Sequence, residues 1–343
     1  TPGEAKAMLR EKGVAVLLDV VDAAGVKDLQ DGMWETLAWI TQNMETPIVR
    51  GDPTTYRTAR ELAPTHGFLF QNWRGLAHRP HLWRAREAAA PVFAEIWGCA
   101  RDDLLCSFDA AAMGIVHLAK PKATGWEQGN DWRHMDQAPS RPDFECVQSW
   151  LTGEDVEPGD ATLRVMPGSH LLTKRFAAEN GVSETKDWYK LNEAERAWYK
   201  KQGCEDLHIL APAGALVLWD SRTIHSGANP LREAVRPKPR NVVYICMQPR
   251  LITVRGMDRG TEKRRLTRRE IQALETTLKK RRAIFDPTNE SRFLRMTTHW
   301  PRPVRLFGAF PRSYGPKPES WAGVPTGEMP ELTPLQRRLA GLD

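Results

Sequence analysis

The sequence predicts a mainly β protein with flanking helices, its strands folded as a jelly roll or sandwich rather than a parallel sheet. Three observations carry that expectation. From about residue 104, short β-type runs follow one another: "LLCSFDAAAMGIVHL", "FECVQSWLTGED", "ATLRVMPGSH", "EDLHILAPAGALVLWD" and "RNVVYICMQPRL". Turn-forming clusters such as "EPGD", "PGS" and "APAG" separate them, as expected where strands end in tight reversals. Helices do not alternate with these runs as parallel strands require; a single helical stretch, "NEAERAWYKKQG", breaks the series.

The other elements fall on either side of that core. Residues 1–103 read as mainly helical. "PGEAKAMLREKG" is a short amphipathic helix stopped by Gly13, and "VAVLLDV" is a strand. In "DAAGVKDLQDGMWETLAWITQNM" apolar residues recur at helical spacing behind an aspartate suited to cap the first turn. "TPIVRGDPTTYRT" is loop, and "HLWRAREAAAPVFAEIWG" is a helix interrupted near Pro91, which has no N–H to donate. Beyond 250 come a basic helix, "TEKRRLTRREIQALETTLKKRR", and a Pro-rich stretch, "HWPRPVRLFGAFPRSYGPKPESWAGVP". The expected organisation is one domain over 1–250, with helices in residues 1–103 and a jelly-roll core in 104–250. Residues 251–343 form an extension packed on it.

Composition narrows the function. No run of 18 or more apolar residues exists, so no transmembrane helix is expected, and the first residues lack the layout of a secretory signal. The cysteines, Cys99, Cys106, Cys146, Cys204 and Cys246, are odd in number and form no C-x-x-C pair. That argues against a disulfide framework or zinc knuckle and for a reducing, cytoplasmic setting. Thirteen tryptophans are many for this length; most are expected in the core, and some to line a pocket for a flat or apolar ligand. Positive charge is concentrated late, with 19 Lys and Arg against 10 Asp and Glu in 251–343. The clusters "KRRLTRRE" and "LKKRR" invite a nucleic-acid reading. Glu262, Glu270 and Glu275 are interleaved with them, so a solvated helix face is the preferred reading.

One short stretch carries candidate chemistry. In "DWRHMDQAP", His134 and Asp136 stand two apart; if the segment is extended, both point to one face together with Trp132. An imidazole and a carboxylate so placed can reach one cation, but two ligands are too few. Of the nine histidines, His225 is the best third: it follows the strand "GALVLWD" and the short turn "SRTI", and Arg240 opens the next strand fifteen residues on. His170, which ends "MPGSH", is expected to stabilise its turn. Two imidazoles and one carboxylate on one face of Fe(II) leave positions open. A 2-oxo acid fills two and O2 a third, and the far carboxylate of 2-oxoglutarate then calls for the planar, permanently charged fork of an arginine.

The stretch "HMDQAPSRPDFECVQSWLTGEDVEPGDATLRVMPGSH" resembles the core of the phytanoyl-CoA dioxygenase family, and "LVLWDSRTIHSGANP…RNVVYICM" resembles its second half. The resemblance covers about 104–250, and 251–343 has no counterpart in it. It implies a double-stranded β-helix, the cupin-like jelly roll, and an Fe(II)- and 2-oxoglutarate-dependent dioxygenase. Carried over residue by residue, it places the metal ligands at His134, Asp136 and His225, the co-substrate arginine at Arg240 and a pocket-lining tryptophan at Trp150. It leaves His170 off the metal. Because "LREAVRPKP" lengthens the gap after His225, Arg236 competes with Arg240. Arg240 is preferred because it starts a strand and shares a face with Val242 and Tyr244.

The reaction so implied oxidises an unactivated C–H bond of a small metabolite, consuming 2-oxoglutarate and O2 and releasing succinate and CO2. A carboxylate at 136, rather than a small residue, favours hydroxylation or a related oxidation such as desaturation over halogenation. The alternatives are an oxygenase acting on a nucleic-acid or protein group and a catalytically silent cupin-like binding protein. Gln71, Asn72, Trp73 and Arg74 lie in a stretch that either supplies a lid with ligand contacts or simply packs and covers the surface. Arg133 and Gln137 flank the metal motif, although a strand would aim them away from iron.

Overall fold

Several runs after residue 104 form strands buried on both faces, such as 147–152 and 216–220, whereas the short strand at 207–208 is exposed. The structure is a computed structural model that describes residues 1–62, 69–70, 74–109, 111–119, 131–183, 187–230, 238–250, 252–255, 262–290 and 324–343. Gln71, Asn72, Trp73, Arg236 and nearly all of the Pro-rich stretch lie outside the described residues.

Helix α1 (Pro2–Lys12) starts on a capping box between Thr1 and Glu4 and ends at Gly13, whose φ of +74° is left-handed. Strand β1 (Val14–Leu17) follows, then α2 (Ala23–Thr41) capped by Asp22, α3 (Thr58–Leu62), β2 (Leu69–Phe70) and α4 (Pro80–Trp97). The break expected near Pro91 does not occur, and α4 runs through it. Ala89, Ala90, Val92 and Phe93 around the proline are buried, and that packing outweighs the hydrogen bond the ring cannot make.

The core series comprises β3 (Leu104–Cys106), β4 (Ala111–Gly114), the short α5 (Val116–Ala119), β5 (His134–Met135), β6 (Val147–Thr152), β7 (Thr162–Val165) and α6 (Ser169–Glu179). It continues through β8 (Tyr189–Lys190), α7 (Glu193–Lys201), β9 (Leu207–His208), β10 (Leu216–Asp220), β11 (His225–Ala228) and β12 (Arg240–Pro249). One sheet runs β1-β10-β6-β12-β4-β2, with β3 joining β12, and a second runs β8-β5-β11-β7-β9. Neighbouring strands in both sheets are antiparallel. This is a mainly antiparallel β core with flanking helices, the double-stranded β-helix.

Side-chain alternation gives the first sheet two buried faces. Trp150, Val217, Trp219 and Val242 point inward and cluster with Leu163 and Val165 of the second sheet. Leu151, Leu216, Leu218, Val243 and Ile245 point outward and pack with Leu9 of α1, Leu37 of α2 and Phe93 of α4. The helices therefore cover the outer face, and the inner face is left to build a site.

Beyond the core, the basic helix begins later than expected. Residues 262–265 form β14 (Glu262–Arg265), paired with β13 (Ile252–Arg255), and α8 (Arg268–Phe285) starts on a capping box between Thr267 and Glu270. The last helix is α9 (Pro334–Ala340). Buried Arg281 of α8 donates to the carbonyls of Leu339, Ala340 and Cys106 at 3.1, 2.6 and 2.8 Å. Its guanidinium lies 3.8 Å from the Phe108 ring centroid, so one side chain ties α8 and α9 to the edge of the core. Cys99 is half-buried and the other four cysteines are buried, all as free thiols. Among the described residues, no helix is long and apolar enough to cross a membrane.

Candidate metal centre

Strands β5 and β11 are neighbours, and their register sets His134 directly opposite His225. Cross-strand partners project from the same face, so two histidines far apart in sequence come together with ring centroids 4.4 Å apart. Asp136 follows β5. One of its carboxylate oxygens is 3.3 Å from His134 Nε2 and the other 3.4 Å from His225 Nε2. All three donor atoms lie within 4.8 Å of one another.

The far side of each ring decides what those contacts are. His134 Nδ1 faces the Trp132 carbonyl at 3.1 Å, and His225 Nδ1 faces the Thr223 carbonyl at 2.9 Å. A carbonyl oxygen only accepts, so each Nδ1 carries the proton. In the neutral ring the Nε2 lone pair is then turned toward carboxylate oxygens, lone pair against lone pair. A cation between them removes the conflict, and two imidazoles with one carboxylate are the donor set of a facial iron site. Bonds of about 2.1 Å to such donors place adjacent ligands of an octahedron about 3 Å apart, close to the separations found. Burial, and then the neighbouring His134, hold His225 below its ordinary value against the pull of Asp136. That keeps the ring in the neutral form that binds metal.

Two turns bring the strands into this register. The N–H groups of Asp136 and Gln137 both donate to the Ser221 carbonyl at 3.1 Å. Buried Gln137 accepts from Ser221 Oγ at 2.8 Å and donates to the Asp143 carbonyl at 2.6 Å; it is a brace within the turns and does not face the metal site. The 220–223 turn is stiffened by Asp220 and Arg222, both buried, which meet at 2.6 Å. Burial alone would raise the Asp220 carboxyl, but Arg222 outweighs it and holds the group below its usual range. Thr223 Oγ1 donates to the Gly13 carbonyl at 2.9 Å. A Cβ on Gly13 would stand 2.4 Å from Thr223 Oγ1 and 2.5 Å from His170 Nδ1, so the glycine is needed for close approach as well as for its backbone angle. His170 sits in the first turn of α6, and its Nε2 meets the Arg10 carbonyl at 3.1 Å. It docks α1 and stands apart from the triad.

The remaining sequence candidates divide between the inner face and elsewhere. Trp150 is fully buried on β6, and Arg240 begins β12 with its guanidinium 5.9 Å from the Trp150 ring and donating to the Ala161 carbonyl at 2.6 Å. Arg133 turns away, as strand geometry requires, into ion pairs with Asp131 and Asp206. The Arg74 carbonyl accepts from Gly327 N–H at 2.7 Å. Sequence reasoning missed Gln148, whose Nε2 donates to Asp136 Oδ2 at 2.5 Å. Its signal was available: it stands two residues before Trp150 on one strand and shares its face. Among the described residues, Gln148 Oε1, Trp150 Nε1 and Trp219 Nε1 are buried without a hydrogen-bond partner, and the Trp219 ring lies 5.5 Å from that of His225. Orphaned polar atoms are costly in a core, and this inward-facing set fits a site that receives a polar ligand such as a 2-oxo acid.

The chain matches a known protein family. That family, described as "Phytanoyl-CoA dioxygenase (PhyH)", matches residues 9–234, a span that holds the whole triad and ends before Arg240. "Ava biosynthesis cluster protein O" of Aspergillus versicolor is 31% identical over 224 residues, covering 62% of this chain and 68% of that one. Among solved structures, AviO1 from Streptomyces viridochromogenes Tue57 is similar at a TM-score of 0.45 and 15% identity, covering 73% of this chain and 95% of that one. EctD from S. alaskensis, solved with 2-oxoglutarate and 5-hydroxyectoine, is similar at a TM-score of 0.40 and 15% identity, covering 72% of this chain and 75% of that one.

Proposed function

The chain belongs to the phytanoyl-CoA dioxygenase family of non-haem iron, 2-oxoglutarate-dependent oxygenases, and from that premise we propose that it oxidises an unactivated C–H bond of a small metabolite. Hydroxylation or a related oxidation accompanies the conversion of 2-oxoglutarate and O2 to succinate and CO2. The observation that carries this reading is the pair of Nδ1–carbonyl contacts, which turn both Nε2 lone pairs onto the Asp136 carboxylate.

In this reading His134, Asp136 and His225 hold the iron, Arg240 takes the far carboxylate of 2-oxoglutarate, and Trp150 lines the co-substrate pocket. The bound iron supplies activation of O2. The chain supplies the rest. The Trp132 and Thr223 carbonyls fix both tautomers, Gln148 restrains rotation of the Asp136 carboxylate, and Trp150, Val217 and Trp219 keep water from the inner face. The oxygenase domain is assigned to residues 1–250, and 251–343 to an extension anchored through Arg281. A cytoplasmic setting goes with this reading.

The test is to load the full chain anaerobically with Fe(II), add 2-oxoglutarate, O2 and a metabolite library, and follow succinate together with products heavier by one oxygen. Succinate formation that depends on iron and is lost in His134→Ala, Asp136→Ala and His225→Ala is the expected result. Undiminished succinate in those variants overturns the assignment, and none from the wild type points to a silent binding protein.

A further inference from the structure

Two tryptophans lie against the His134 ring. Trp132 stacks on it with centroids 5.1 Å apart and planes at 14°, and Trp188 lies at 5.4 Å and 36°. Trp188 is the unusual one. Its φ is +67°, in the left-handed region that a bulky side chain rarely enters and that clusters at binding sites when it is occupied. It is also 37% exposed, so the strained backbone does not serve to bury the indole.

The metal-bearing segment itself holds that conformation. Trp188 N–H donates to the Asp136 carbonyl at 3.0 Å, and Ala138 N–H donates to Asp187 Oδ1 at 3.2 Å. Arg141 pairs with the same Asp187, and β8 pairs with β5 immediately afterwards. The result is an indole presented beside a metal-facing histidine with some of its surface in solvent. Trp132 has its own accommodation, since a Cβ on Gly227 would come 3.3 Å from its Cζ2.

We propose that Trp132 and Trp188 are the substrate-binding walls of this site and that the substrate carries a flat, uncharged ring system. Exposed indole surface offers stacking and dispersion to a planar partner. An organic cation would also suit an indole face, but it would bind beside a divalent metal and be repelled. The charged residues on either side of Trp132 in the chain are engaged in ion pairs: Arg133 meets Asp206 at 2.6 Å, and Arg164 and Arg196 each meet Asp131 at 3.3 Å. This inference rests on the oxygenase reading, because it takes the neighbourhood of His134 to be where substrate lies.

The test uses three probes on the full chain loaded with redox-inert Zn(II), by calorimetric titration and saturation-transfer NMR: 1-naphthol, its saturated analogue decahydro-1-naphthol, and choline. The expected result is at least about tenfold tighter binding of 1-naphthol than of the saturated ring, the size of one good aromatic contact. Trp188→Gly should lose that selectivity and Trp188→Phe should keep most of it. Glycine adopts a positive φ without strain, so Trp188→Gly should melt no lower than the wild type, which separates lost binding from lost folding. Equal binding of both naphthols, selectivity retained in Trp188→Gly, or preferential binding of choline overturns the proposal. Succinate formation is measured on the iron-loaded wild type in parallel. Succinate without ring selectivity sinks this proposal alone, whereas ring selectivity without succinate sinks the oxygenase reading beneath it.

Discussion

Two carboxylates, half-buried Asp136 and buried Asp220, sit in the two turns that meet at the site, and they are satisfied in opposite ways. Asp220 is held by its neighbour: Arg222 Nε meets one oxygen at 3.0 Å, Nη2 the other at 2.6 Å, and the Arg222 N–H adds a third bond at 2.9 Å. Asp136 instead faces two imidazole nitrogens whose protons are on the far side of each ring, and the Gln148 amide. The first arrangement is complete within the chain and makes a rigid turn. The second converges on a point that a cation completes. The pair contrasts a counter-ion built into the chain with a cluster that could hold one from outside: the guanidinium stiffens the turn, and the imidazoles converge with Asp136 on one point.

The sharpest way to break this comparison is to remove each carboxylate in turn. Asp136→Ala should reduce iron-dependent succinate formation to background while the metal-free protein melts at or slightly above the wild-type temperature, because a lone-pair conflict has gone. Fe(II) or Mn(II) at a hundredfold excess over its dissociation constant should stabilise the wild type by about 2.7 kcal/mol and leave Asp136→Ala unmoved. Thermal melts with and without metal read both effects. A large loss of stability in the metal-free variant would mean that Asp136 is structural like Asp220.

Asp220→Asn should do the reverse. It removes the carboxylate that meets Arg222, 2% exposed, at 2.6 Å, and breaking such a buried pair costs about 3–5 kcal/mol, readable by urea denaturation. Replacing both residues, as Asp220→Leu with Arg222→Met, should recover much of that loss, since apolar packing can stand in for a complete buried pair. The pH dependence has a definite sign. The folded Asp220 carboxyl lies below its ordinary value of 3.8, so its contribution is fully present above that value and is lost as pH falls through the depressed folded one. The double variant should therefore show a flatter acid limb.

How much of this was legible in the sequence depends on whether the cause was local. Gly13, the cap of α2 and the start of β12 at Arg240 could be read because each is decided by a few adjacent residues. The triad could be read from its spacing and from the family resemblance. The register that sets His134 opposite His225 could not, because it is fixed by hydrogen bonds from the 136–137 turn to Ser221, far along the chain. Trp188 gave no local sign at all; its left-handed backbone is imposed by Asp136 and by the clamp on Asp187. Pro91 and the late start of α8 went the other way. At the proline, burial overrode a helix breaker. At α8, the Thr267–Glu270 capping box competes with a continuous basic pattern and marks the true beginning of the helix.

The smallest expected effect tests the amide contact of Gln148 on Asp136. Gln148 is 2% exposed, and its amide meets the carboxylate at 2.5 Å. Leucine nearly matches its volume but cannot donate, so Gln148→Leu should fold close to wild type while the carboxylate gains freedom to rotate. Loss of such an outer partner typically weakens metal binding about 10- to 100-fold. Titration with Co(II), followed by its visible absorption, reads that affinity without turnover. If the affinity is unchanged and stability falls instead, Gln148 is a core filler and does not position the Asp136 carboxylate.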